Sequence, residues 1–476
     1  MPVLDTNSWI ALAPLLALTG GIVLLLLFDV LPRLEILRRP TVLLAIATSA
    51  AFEARLFHVP PEVVLDGSLA AGPTQAMWGF VFLASLAVAW TIAQRFYAEE
   101  KPFLVEHDVL MLSATSGMML MAGAQNLLVF FVGLELLSVP LYALAGFQRG
   151  RATSVEAGVK YFVLGAFASA IFLYGAALLY AETGTISLIR LRETGASTPV
   201  ALLGAALIAG SLFFKVSVFP FHLWVPDVYQ GAPTPVTALM ATGTKAAGFA
   251  FLLEIAFLLP ARATGVVAAI ALLTMAAGNL GALLQTDLKR MLAWSGIAHA
   301  GTLLLGVAGG MAGDPTLGGV RTATIFYMAA YVVTAGGAFG VVALLEEETG
   351  APVTTASIAG LARRRPIAAG AMAAFMLSLG GIPLTGGFLG KYLVFAVAVR
   401  SGLVAAAVAG VLLSVVALGY YLNVVVAMYM RPEPSGARAS GAESAAPRGL
   451  PLFAASVCAA AVLVLGIAPA WLLDRL

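Results

Sequence analysis

The sequence predicts an all-α integral membrane protein of about fourteen transmembrane helices, arranged as two inverted five-helix repeats that each contain a broken helix. Three observations lead there. Of the 476 residues, 61% are apolar and only 11% charged, with a mean hydropathy of +0.98, whereas about a quarter of the residues of soluble domains are charged. Apolar runs of roughly 20 residues recur along the chain, long enough to cross a bilayer as helices and about twice the length of a barrel strand. Two of these runs are interrupted by proline or glycine close to a lysine, at Lys215 with Pro220 and at Pro383 with Lys391.

Taken in order, spans are expected near residues 9–31, 41–57, 75–97, 107–124, 126–147, 157–181, 201–229 (broken), 234–259, 263–285, 291–312, 320–345, 366–400 (broken), 403–430 and 450–472. The first, from Trp9, has no basic leader and no clear cleavage site, so it reads as a membrane helix and not as a signal peptide. The breaks fall five spans apart. This groups spans 4–8, residues 105–260, and spans 9–13, residues 261–430, as repeats, and an odd number of crossings per copy inverts one relative to the other. Residues 1–104 supply three leading helices, 431–449 a Pro-, Ser-, Gly- and Ala-rich flexible linker, and 450–476 the fourteenth helix.

Loop charge sets the orientation. Fifteen Lys and Arg residues, among them Arg33, Arg38, Arg95, Lys101, Arg151, Lys289, Arg438 and Arg448, fall in one set of alternate loops and six in the other. By the positive-inside rule the richer set is cytoplasmic and both termini face outward, with Arg190 and Arg192 running against the bias. The five remaining cations, Arg55, Lys160, Lys215, Lys245 and Lys391, lie within spans. Four of the chain's six lysines are thus intramembrane, against one of its twenty arginines. Arginine keeps its proton, whereas a desolvated lysine can release one. Each such charge costs about 2.5–3.5 kcal/mol at the centre of a span, so the set calls for compensation or a function.

Glu135 and Lys245 sit near the middle of their spans, either as an ion pair between helices or as members of a proton relay. Lys215 precedes the Pro220 break, where freed carbonyls are tolerated only against protein or water. Ion sites of transporters lie at such breaks; the plainer alternative is a proline kink with a snorkelling lysine. Lys391 follows Pro383 in LSLGGIPLTGGFLGKYLVF and repeats the device. Lys160, close to a span end, either snorkels or tunes a neighbouring lysine. Glu53 and Arg55 do not share a helix face, so partners on other helices or subunits are expected, and Glu254 reads as interfacial. His222 and His299 could pass protons or could simply pack. With Cys458 the only cysteine and no histidine pair at ligand spacing, no metal site, disulfide or iron–sulfur ligation by this chain alone is expected. No nucleophile motif points to a hydrolase. GGFLGK is one residue short of a phosphate loop and is followed by Tyr392.

FFKVSVFPFHLWVPDVYQGAPTPVTALMATGTKAAGFA, NLLVFFVGLELLSVPLYAL, EAGVKYFVLGAFASAIFLYG, GNLGALLQTDLKRMLAWSGIAHAG and LSLGGIPLTGGFLGK resemble the signature segments of the antiporter-like subunits of proton-translocating NADH:quinone oxidoreductase, respiratory complex I, in the subunit N family. The resemblance spans about residues 105–430. It implies two inverted repeats, with Glu135 and Lys215 as the charge pair of the first half-channel, Lys245 as the central connecting lysine and Lys391 as the lysine of the second, outward half. Lys160 takes the place of a modulating lysine. Lys391 separates subunit N from the related subunit M, which carries a glutamate there. Leu384 departs from the pattern, in which a second proline follows Pro383.

The function expected is proton movement from the cytoplasm to the outside of a bacterial plasma (inner) membrane, driven by quinone reduction in other subunits. No redox cofactor is expected on this chain; flavin, iron–sulfur clusters and quinone belong to partner subunits. Neighbouring antiporter-like subunits and the lipid bilayer are the expected contacts, and nucleic acid is not. The other readings are a subunit of a multisubunit cation/proton antiporter and a non-conducting membrane scaffold.

Overall fold

The computed structural model describes residues 6–31, 34–96, 104–195, 197–313, 318–433 and 449–476. Most of the 431–449 linker, with Arg438 and Arg448, and the loop cations Arg33 and Lys101 lie outside the described residues. The leading group consists of α1 (Thr6–Val30), α2 (Arg38–Leu56) and α3 (Pro73–Phe96), with a hairpin of β1 (Glu62–Val64) and β2 (Leu69–Ala71) between the last two. The hairpin was not anticipated. Its turn runs through Leu65, Asp66 and Gly67, all at positive φ, and Asp-Gly is a turn pair that accepts this conformation.

Next come α4 (Leu104–Gly123), α5 (Leu127–Ala145), α6 (Ala152–Thr183), the short α7 (Leu188–Thr194), α8 (Pro199–Val216) and α9 (Trp224–Gly231). They are followed by α10 (Thr234–Leu239), a π-helical turn Met240–Thr244, and α11 (Lys245–Ile255). The remaining helices are α12 (Thr264–Leu283), α13 (Leu288–Gly313), α14 (Gly318–Thr349), α15 (Leu361–Arg364), α16 (Pro366–Gly380), α17 (Gly386–Arg400), α18 (Val404–Met430), α19 (Gly449–Ile467) and α20 (Ala470–Leu473). Side-chain caps fix several starts. Asn126 accepts from the Leu128 amide at 2.8 Å, and Thr198 accepts from Ala201 at 3.1 Å with Pro199 at the first helical position.

Among the described residues, eleven helices are long and apolar enough to cross a membrane. The segment Thr234–Leu258 is buried throughout, and α13 and α14 nearly so, whereas only 28% of the spanning window of α1, α6 and α19 is buried. The centre of the bundle is therefore the π-containing helix with α13 and α14 against it, and the other three face the surroundings. Helices in lipid gain from close backbone approach more than from apolar burial. Gly175 of α6 and Gly204 of α8 illustrate it: a Cβ on either would lie 2.7 Å from the other's carbonyl oxygen.

The two expected breaks have matching geometry. At the end of α8, Ser217 turns left-handed (φ 70°) and Val218 N donates to Phe213 O at 2.8 Å. At the end of α16, Gly381 turns left-handed (φ 82°) and Ile382 N donates to Leu377 O at 3.0 Å. Each is the six-to-one bond of a Schellman ending. The Phe219–Pro220 bond is cis. Leu384 has φ 70°, which a proline ring, fixed near −65°, cannot adopt, so the departure from the family pattern goes with a different backbone at this place.

Two ion clusters, each built on a buried carboxylate, tie the elements together. Arg38 of α2 donates to Asp108 of α4 at 2.5 Å and to Gln94 of α3 at 2.6 Å, while Trp90 Nε1 donates to the other Asp108 oxygen at 3.1 Å. At the opposite end of the bundle, Glu254 is 7% exposed and accepts from Arg192 of α7 at 2.8 Å and Arg321 of α14 at 2.9 Å. Glu254, at the end of α11, is covered by α7 and the start of α14. The same contact accounts for Arg192 in a loop where few cations are expected, because a carboxylate neutralises it.

Candidate functional site

A vestibule of about 680 Å³ opens where the end of α3, the starts of α6 and α13, α9 and the end of α14 meet. Charges of both signs line it. Lys160 lies 2.7 Å from Glu156 and 3.0 Å from Asp227, and Arg290 lies 2.8 Å from Asp227. Lys160 is thus paired on α9, directly past the first break, rather than snorkelling alone. Lys289, assigned to a loop from the sequence, is buried at the floor of the vestibule; it donates to Ala232 O at 2.8 Å and sits 3.7 Å from Glu346. Glu346 also accepts from the Thr234 hydroxyl at the start of α10. Arg95, Arg151, Lys289 and Arg290 share this one face, as the alternation of loops requires.

Deeper in, Lys215 is 4% exposed and donates to Ser138 Oγ of α5 at 2.7 Å and to the Tyr161 hydroxyl of α6 at 3.3 Å. Glu135, partly buried one turn before Ser138, accepts from Ser169 Oγ at 2.5 Å. The Lys215 ammonium thus rests on hydroxyls and the Glu135 carboxylate on Ser169, with Ser138 donating in turn to Leu134 O. Tyr161 is held by stacking on Trp224 at 4.7 Å and by the edge of Tyr142 at 4.7 Å. The Lys215 stem passes Gly248 of α11, where a Cβ would lie 3.9 Å from Lys215 Cγ.

Lys245 is 1% exposed and begins α11 immediately after the π turn, a feature that often marks functional sites in helices. Its Nζ donates to Gly296 O of α13 at 2.5 Å. Gly296 has no side chain to fill this place: a Cβ there would lie 2.9 Å from Lys245 Nζ and 3.0 Å from the Tyr331 hydroxyl. One residue before and one turn beyond Gly296 lie Ser295 and His299. His299 bonds the Tyr327 hydroxyl through Nδ1 at 2.6 Å and the Tyr421 hydroxyl through Nε2 at 3.1 Å, and Tyr421 bonds Ser295.

From His299, a small cavity of about 10 Å³ reaches Lys391, walled by Asn279, Tyr420 and Tyr421. Lys391 is 7% exposed and donates to Leu379 O at 2.8 Å and Gly380 O at 3.3 Å. It thereby caps the last carbonyls of α16 from across the break, a place where the helix dipole favours a cation. His222 is not part of this row. It lies between Phe219 and Trp294, both at 5.6 Å, and its Nδ1 has no hydrogen-bond partner among the described residues. The structure therefore brings Lys245, His299 and Lys391 into one polar line, sets Lys215 and Glu135 beside it, holds Lys160 at the vestibule and leaves His222 in an aromatic cage.

Residues 124–417 match the family described as NADH:quinone oxidoreductase/Mrp antiporter, transmembrane region. A relative from Myxococcus xanthus (strain DK1622), NADH-quinone oxidoreductase subunit N, is 40% identical over 507 residues, covering 98% of this chain and 96% of its own length. The protein of the same name from Salinibacter ruber is 42% identical, covering 89% and 86%. Among solved structures, a chain of respiratory complex I from Thermus thermophilus with bound aureothin aligns with a TM-score of 0.79 at 35% identity, over 97% of this chain and 98% of that one. A chain of the Mrp complex from Dietzia sp. DQ12-45-1b shares the fold, with a TM-score of 0.83 at 23% identity over 98% and 96%. With its broken helices, its buried lysines and identity along almost its whole length, the chain belongs to the NADH:quinone oxidoreductase/Mrp antiporter family, on the subunit N branch.

Proposed function

We propose that this chain is the antiporter-like subunit N of an NADH:quinone oxidoreductase and carries protons across the membrane through its row of buried lysines. The observation that carries the reading is the set of lysines buried in an apolar bundle, Lys215 on the hydroxyls of Ser138 and Tyr161, Lys245 on the Gly296 carbonyl, and Lys391 across a small cavity from His299. Lysines at this depth are costly, and where they persist they mark ion or proton paths. In the proposed sequence, protons collect at the vestibule beside Lys160 and reach Lys215. Ser138 and Tyr161 hold the ammonium in place, and both can take part in proton exchange because a hydroxyl donates and accepts. Lys245 passes the proton toward the Ser295, Tyr421 and His299 cluster, and Lys391 releases it on the far side. A change of charge at Glu135 on α5 alters proton affinity at Lys215 on α8 through the field between them.

The same reading counts fourteen crossings: the eleven apolar helices, the more polar α2 and α4, and the α16–α17 pair counted as one broken span. The matching Schellman endings at Ser217 and Gly381 support two inverted repeats, residues 105–260 and 261–430. The vestibule then faces the cytoplasm and both termini lie outside the bacterial inner membrane. Flavin, iron–sulfur clusters and quinone sit on partner subunits of the complex.

Purification of the tagged chain in mild detergent tests the assignment. Flavin- and iron–sulfur-containing subunits with NADH:quinone activity are expected to elute with it. Elution without them, together with sodium-dependent proton movement in vesicles lacking NADH, would replace this reading with the cation/proton antiporter.

A further inference from the structure

Glu53 lies on α2, outside the row of lysines, and is 3% exposed. Its Oε2 is buried and has no hydrogen-bond partner among the described residues. Arg55, two residues on, faces away and lies over the Phe52 ring at 5.6 Å. The carboxyl group is pressed against α3 at Gly79, where a Cβ would come within 2.1 Å of the carboxyl carbon. A glycine at that point is what admits it.

The group borders a cavity of about 30 Å³ walled by α1, α2, β2, α3 and α4, roomy enough for water. Gln75, one turn before Gly79, is the other polar side chain on these walls, and Glu53 is the one titratable group among the described residues lining them. An ionised carboxylate enclosed in this way needs donors or a counter-charge, whereas a carboxylic acid brings its own donor.

We infer that Glu53 is a proton-binding site of this chain, distinct from the lysine row and seated beneath the β1–β2 hairpin. It binds one exchangeable proton, and Gln75 is the other polar side chain among the described residues on the cavity wall. The site adds a second titrating centre, in the leading helix group, to a chain whose buried lysines lie outside that group.

The test uses the assembled complex in native membranes and dicyclohexylcarbodiimide, an apolar reagent that adds to protonated carboxyl groups. Peptide mass spectrometry is expected to find the adduct on Glu53 and not on Glu254, which is comparably buried but bonded to two arginines. Glu53→Gln removes the adduct while the complex still assembles. In parallel, infrared difference spectra between light and heavy water are expected to show a carboxylic-acid band that Glu53→Gln abolishes. Modification of Glu254 in preference to Glu53, or protection of Glu53 by sodium ions, overturns the inference. If neither glutamate reacts, the infrared spectrum decides, and an unchanged carboxylic-acid band in Glu53→Gln overturns it.

Discussion

Lys245→Met is expected to slow proton movement through this chain by about a hundredfold or more, the lower end of what a positioned proton donor or acceptor contributes. Methionine fills nearly the same volume but cannot hold a proton, so the break falls at the start of α11, between Lys215 and the His299 cluster. The structural cost is confined to one interaction. Lys245 donates to the Gly296 carbonyl, which keeps its own donor within α13, so what is lost is one hydrogen bond from a charged group, about 1.5–3 kcal/mol. The segment Thr234–Leu258 is buried from end to end, and a loss of that size does not dislodge it. Acidification of inverted vesicles on NADH addition, read against the amount of assembled complex on a native gel, separates the two effects. Assembly without acidification supports the relay, and full acidification reduces Lys245 to a packing residue.

Asp108→Ala has the largest expected effect on stability. Asp108 is fully buried and Arg38 nearly so, with side-chain exposures of 0% and 10%. Removing one partner of a buried ion pair leaves an uncompensated charge and costs about 3–5 kcal/mol. Trp90 Nε1 loses its acceptor as well. Asp108→Asn keeps an acceptor oxygen for one of the two donors and is expected to be milder. Because the penalty comes from the stranded guanidinium, the double variant Arg38→Met with Asp108→Leu recovers most of it. Thermal unfolding of the purified complex measures all three. A double variant as unstable as Asp108→Ala would show that shape and not charge governs the α2–α3–α4 contact.

Charge inside apolar runs made much of the site legible. Lys215, Lys245 and Lys391 stand out because a lysine in a span is expensive, and the prolines mark where helices stop. Lys289 was hidden by the same reasoning, since it lies at a helix start that hydropathy assigns to a loop and is buried only by α10 and the end of α14. Ser138, Tyr161, Ser295, Tyr327, Tyr331 and Tyr421 carried no signal at all. A hydroxyl on an apolar helix is cheap and common, and only convergence in space distinguishes these from their neighbours. His222 and His299 were indistinguishable in the sequence; the first met aromatic rings and the second met hydroxyls. The hairpin was readable from Asp66-Gly67 between short apolar runs, although the long spans on either side dominate any hydropathy profile. The π turn had no comparable signal beyond the Thr242, Gly243 and Thr244 cluster ahead of Lys245. At Leu384 the family expectation of a second proline met a left-handed backbone.

The central claim is that protons cross this chain by way of Lys215. Its most direct test is the number of protons released per NADH oxidised by proteoliposomes containing the complex with Lys215→Met. A complex that assembles and falls below the wild-type ratio is the predicted result. An assembled variant with the wild-type ratio would contradict the account.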